Sequence, residues 1–141
     1  MTDYVKNNAL NEIKIIFHGK SFGKEKEFIL QISKAFILPS ISEGIPISVL
    51  EAISHKLLCL LTKECNFDQL KKLGSSIEIN KDSSDLELFL KRLFRLKPEE
   101  FSKRVEIGIN YANNEHNWDI IAKQSFNIYE SFYTESKLFR K

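Results

Sequence analysis

The chain has 141 residues, 43% hydrophobic and 28% charged, and its 21 Lys and Arg against 19 Asp and Glu leave a net charge of +2. That length fits one domain. So close a balance of charge excludes a polybasic nucleic-acid binder and an acidic disordered tail. The longest purely apolar run, residues 57–61, falls far short of the roughly 20 residues of a membrane span. The polar start lacks the apolar core of a secretory signal. Cys59 and Cys65 make neither a disulfide framework nor a zinc site. The expected compartment is the cytoplasm, and neither a metal nor another cofactor is expected.

A polar stretch through Asn11 reads as a loop. Residues 13–17, Ile-Lys-Ile-Ile-Phe, are short, β-branched and apolar and run into His18-Gly19, which predicts a strand and a turn. Gly23 precedes a helix expected over 24–34, where Phe28, Ile29 and Ile32 recur at helical spacing. Residues 35–38 are an unbroken apolar run stopped by Pro39, the pattern of a parallel strand buried on both faces. After the polar loop 40–44, Pro46 stands where a first helical turn begins, and the helix should reach about His55. Residues 57–61 predict the third strand. Residues 66–73 read as a short helix ended by Gly74, and 77–79 as a fourth strand.

Ser84-Asp85-Leu86-Glu87 has the capping-box pattern, ahead of an apolar stripe of Leu86, Phe89, Leu90, Leu93 and Phe94. Pro98 opens a helix with Phe101, Val105, Gly108 and Ala112 on one face. Asn117 can cap a last helix that carries Trp118, Ile121, Ala122, Ser125 and Tyr129. Strands alternating with helices predict an α/β fold: a partial Rossmann-like parallel sheet of about four strands flanked by helices, with C-terminal helices, in a single domain over 1–141. Ligands of such sheets bind beyond the carboxyl ends of the strands. The loop after the second strand, with Glu43 and Gly44, is therefore the first place to seek chemistry.

There, Glu43 and Glu51 lie eight residues apart, one in the loop and one in the helix. The free N–H groups of the first helical turn lie between them and carry the positive end of the helix dipole, a ready anion seat. A diphosphate resting there would leave a sugar hydroxyl to Glu43 and a ribose hydroxyl to Glu51, since a carboxylate accepts two hydroxyl hydrogen bonds well. Gly44 admits a close backbone approach. Either glutamate alone has an ordinary reading: dipole complementation for Glu43, a solvated helix position for Glu51.

The surrounding residues sharpen this. Phe36-Ile-Leu-Pro39-Ser40, Glu43-Gly44-Ile45-Pro46 and Leu50-Glu51-Ala52 stand in the order and spacing of the donor-site signature of retaining glycosyltransferases of family 4, which have the GT-B fold. The segment resembles that signature, and the resemblance extends from Phe17-His18-Gly19 through Gly74 and Ile77-Glu-Ile79 to Trp118, Ile121-Ala122, Gln124 and Tyr129. It implies that Glu43 contacts the transferred sugar of a nucleotide-diphosphate sugar. The backbone of Gly44, Ile45, Pro46 and Ile47 would hold sugar and diphosphate, and Glu51 the ribose. It also implies retaining transfer to a glycan, lipid or lipopolysaccharide-type acceptor, independence of a catalytic metal, and a cytoplasmic location that includes the inner membrane face.

A GT-B enzyme closes its active site between two Rossmann-like domains, and this chain resembles the later part of the C-terminal one. The resemblance thus implies an N-terminally truncated domain, and a second chain that supplies the missing N-terminal half. A truncated sheet would expose an edge that invites pairing. A second reading stays open: a non-catalytic remnant, or a nucleotide-binding or interaction module. The family's Arg and Lys for the leaving diphosphate lie mainly upstream, and Lys20, Lys24 and Lys26 read as charged surface. Lys56 and Leu58 replace the family's Gly and Pro-apolar pair, so Lys56 must adopt a helix-ending conformation that suits Gly better. His18, His55 and His116 show no ligand spacing. Cys59 reads as a small buried hydrophobe, and Trp118 and the phenylalanines as core.

Overall fold

The computed structural model describes residues 16–80 and 83–138. The elements are α1 (Gly23–Ile32), β1 (Ala35–Leu38), α2 (Ile47–Ser54), β2 (Leu58–Leu61), a 3₁₀ turn (Lys63–Cys65), α3 (Asp68–Lys72), β3 (Ser76–Glu78), α4 (Ser83–Arg95), α5 (Pro98–Glu115) and α6 (Trp118–Leu138). The three strands form one parallel sheet in the order β1-β2-β3. Ala35 stands opposite Leu58 and Leu38 opposite Leu61, while Cys59 stands opposite Ser76. This is the expected α/β layering. The described sheet has three strands rather than about four. The strand expected over 13–17 falls partly outside the described residues, and Ile16 and Phe17 are irregular and exposed.

Central β2 is buried on both faces: all four of its residues are inside. The same was expected of β1, yet its four residues are only half-buried, because β1 pairs with β2 alone among the described residues. One core lies on the face of the sheet that carries Phe36, Leu38, Cys59 and Leu61. Val49, Ala52 and Ile53 of α2, Phe67 just before α3 and Leu70 within it, and Ile109, Tyr111 and Ala112 of α5 belong to it. Helix α5 approaches closely at Gly108, where an added Cβ would lie 2.5 Å from Ser75 Oγ. Val105 and Gly108 on the expected face are indeed buried.

Two helix ends show how backbone conformation was set. After α3, Gly74 takes φ +78, with Ser75 N–H donating to Leu70 O and Gly74 N–H to Lys71 O. After α2, Lys56 takes φ +64, with Leu57 N–H donating to Ala52 O and Lys56 N–H to Ile53 O. Both are Schellman endings, which favour Gly at the left-handed residue. Lys56 does adopt the conformation expected of it. The start of α3 is later than expected, since Asn66 lies in the left-handed region at φ +57 and closes the 3₁₀ turn. Strand β3 begins one residue early, and Ile79 N–H continues its ladder to Leu61 O.

The outer helices depart more. Helix α1 forms where Phe28, Ile29 and Ile32 recur at helical spacing, yet Phe28 and Ile32 are exposed, while Lys26, Ile29, Leu30 and Ser33 form its half-buried face. Helix α4 begins at Ser83, one residue before the expected cap, and the capping-box side chains Ser84 to Leu86 lie outside the described residues. Asn117 caps α6 as expected: its Oδ1 accepts from Asp119 N–H at 2.8 Å. Trp118, expected in the core, is 81% exposed, because the face of α6 that meets other elements is that of Ile121 and Ser125. No helix among the described residues is long and apolar enough to cross a membrane.

Candidate donor site

The loop between β1 and α2 is where the candidate residues fall. Glu43 is half-buried; Gly44, Ile45 and Ile47 are exposed; Pro46 is buried. Pro46 is the N-cap residue of α2, one position before the helical turn at which it was expected, with φ −69 and ψ 114. No side-chain cap is made there; Val49 N–H donates to Pro46 O at 3.0 Å, so the first-turn amides left available are those of Ile47 and Ser48. A Cβ built on Gly44 meets no protein atom within 4 Å. The packing of the chain on itself therefore does not require glycine at 44.

The loop is fastened by the segment that follows β2. Thr62 Oγ1 donates to Ser40 O at 2.7 Å and Asn66 Nδ2 to Glu43 O at 2.6 Å and to Gly44 O at 3.1 Å. Glu43 N–H donates to Glu64 O at 3.1 Å. The left-handed backbone of Asn66 is what brings its amide to these carbonyls, and Asn tolerates that conformation better than most residues. Ser40 Oγ donates to Glu43 Oε1 at 2.8 Å, which leaves the other carboxylate oxygen for a further donor. Sequence reasoning quoted Ser40 but assigned it no role, and it missed Thr62 and Asn66. Their contacts cross 22 to 23 positions of chain, a separation that no local pattern reports.

Glu51 sits half-buried on α2. It is not the freely solvated helix residue of the ordinary reading: Lys26 Nζ of α1 stands 2.5 Å from its Oε1. Lys26, read from sequence as charged surface, is 43% exposed along its side chain and also contacts this candidate residue. The signal was its place, one turn before Ile29 and Leu30 on what proves to be the inner face of α1. His18 is exposed and His55 holds Glu51 O through Nδ1 at 2.9 Å, a local helix-end contact. Burial pushes the Cys59 thiol up to about 12, so this sulfur behaves as the apolar filler expected. Among the described residues no group of three or more His, Cys, Asp or Glu is placed to hold a metal ion.

No curated protein gives a match to this sequence. A family model does match, over residues 3–110, and it spans the sheet, the β1–α2 loop, both glutamates and most of α5, leaving α6 beyond it. With the parallel sheet, the uncapped turn of α2 and the two flanking carboxylates all inside that span, the chain belongs to the family described as glycosyl transferases group 1.

Proposed function

We propose that this chain is the donor-binding domain, over 1–141, of a family 4 retaining glycosyltransferase of GT-B architecture, which uses a nucleotide-diphosphate sugar. Glu43 contacts the transferred sugar through the carboxylate oxygen that Ser40 leaves open. The backbone of Gly44, Ile45, Pro46 and Ile47 seats the diphosphate, and Glu51 takes the ribose. The acceptor, of the glycan, lipid or lipopolysaccharide class, meets the sugar from a surface that a second chain supplies. The site is used on the cytoplasmic side, including at the inner membrane face.

The observation that carries this reading is the first turn of α2, without a side-chain cap, between half-buried Glu43 on a loop held by Thr62 and Asn66 and half-buried Glu51 on the helix. As the sugar carbon leaves the diphosphate, negative charge grows on the bridging oxygen. Fixed amide dipoles aimed at that charge stabilise it without having to reorient, and such preorganised electrostatics is usually the largest catalytic contribution. Nothing in the scheme requires a metal. Exposed Gly44 fits a ligand that comes within contact distance of the backbone.

The test is donor binding by calorimetry together with donor hydrolysis or transfer. Glu43→Ala should reduce turnover on the order of 10²-fold with the fold intact, by analogy with loss of one transition-state contact. Glu51→Ala should weaken nucleotide binding about 10-fold or more, as expected for one hydrogen bond to a charged group. Turnover that survives Glu43→Ala unchanged overturns the catalytic assignment. A chain that binds no nucleotide sugar overturns the donor-site reading altogether.

A further inference from the structure

The orientation of α1 is unusual for an amphipathic helix. It exposes Phe28 and Ile32, 59% and 66% accessible, and turns a lysine toward its neighbour instead. That lysine, Lys26, ends in an ion pair with Glu51, 25 positions away on α2. Fully covering Phe28 and Ile32 would stabilise the domain more than an ion pair this exposed does. Leu30 packs against the core from the same face, but that packing does not require a lysine at 26.

Position on α2 supplies a reason. Glu51 follows Ile47 by four residues and Ser48 by three, so all three share a helix face. Side chains on a helix lean toward its N-terminus. That lean turns Glu51, and the Lys26 ammonium paired with it, toward the end of α2 that carries the open Ile47 and Ser48 amides, and Ile47 and Glu51 are separated by about 6 Å along the axis. An ammonium has three donors and Glu51 engages one of them, while Glu51 itself keeps Oε2 for a hydroxyl.

Resting on the donor-site reading above, we infer that Lys26 is a positioning residue for the phosphates of the donor: it sets the preference of the site for a nucleoside diphosphate over the bare nucleoside. Glu51 holds the ammonium in place beside the anion seat, and bound diphosphate recruits its free donors. The pair is one device with a ribose end and a phosphate end.

The experiment compares dissociation constants for uridine, adenosine and guanosine and for their diphosphates, in the wild-type chain and in Lys26→Met and Lys26→Arg, each checked for fold by circular dichroism. Lys26→Met should cut the preference for diphosphate over nucleoside about tenfold, the scale of one charge-assisted contact, without weakening the nucleoside. Lys26→Arg should restore most of it. An unchanged preference, or equal weakening of nucleoside and diphosphate, overturns the inference and leaves Lys26 as a prop for Glu51 only. Wild-type protein that binds none of the six compounds overturns the donor-site reading as well, so the two failures are told apart.

Discussion

Strand β2 and helix α6 are both rich in large apolar residues, and they meet opposite fates. Leu58, Cys59, Leu60 and Leu61 are at most 4% exposed, whereas Trp118, Phe126, Ile128, Tyr129, Phe132 and Tyr133 of α6 are each more than half exposed. The sheet explains the contrast. A central parallel strand has a neighbour on each side and an element over each face. A terminal helix has only the neighbour it reaches, and α6 is half-buried only at Ile120, Ile121 and Ser125 among its described side chains. Apolar composition states what would gain from burial; the available partner decides what is buried.

Truncation is the strongest way to sharpen this contrast. Leu60→Ala should cost about 2–5 kcal/mol in urea unfolding, the range for a fully buried leucine. Gly108→Val tests the close approach of α5 to Ser75 and should cost about 1–3 kcal/mol through overpacking. Lys56→Gly works in the other direction. With φ +64 already left-handed, the glycine should raise stability by about 1 kcal/mol, where Gly74→Lys should lower it by a similar amount. Trp118→Ala should change stability by no more than about 0.5 kcal/mol, as for surface sites in general. A loss of several kcal/mol there would break the comparison, by showing that α6 is covered in solution.

The thiols probe the same division chemically. Cys59 and Cys65 are both buried, so a thiol reagent at pH 8 should leave native protein unlabelled and react once it is denatured. The raised Cys59 pKa has a fixed sign. Its folded value, about 12, lies above the ordinary thiol value of 9.0. The contribution to stability is therefore fully present below pH 9 and is lost as pH rises from 9 toward 12, because only the unfolded chain ionises there. Cys59→Ala should flatten that part of the alkaline stability profile.

Much of the site was legible in local pattern. Pro46 and the apolar run 35–38 bracket a strand–loop–helix unit, and the spacing of Glu43 and Glu51 about an uncapped turn follows from helix geometry alone. Asn117 as a cap and Lys56 as a strained helix ending were likewise readable, since both depend on a few adjacent residues. The partners of the site were not. Lys26 reaches Glu51 from α1, and Asn66 reaches the Glu43 carbonyl from beyond β2. Both contacts depend on which face a helix turns inward and on a single left-handed residue, neither of which has a period in the sequence.

Sequence by itself determined the alternation of strands and helices, the place of the loop after β1 and the chemical kinds of residue available there, because propensity, capping and hydrophobic spacing act over a few residues. Tertiary structure decided that β1 lies at the edge of the described sheet and β2 at its centre, that α1 faces inward with Lys26 rather than Phe28, and that α6 keeps its aromatic residues in solvent. Those outcomes turn on which surfaces meet, and apolar burial has no direction until a partner surface supplies one.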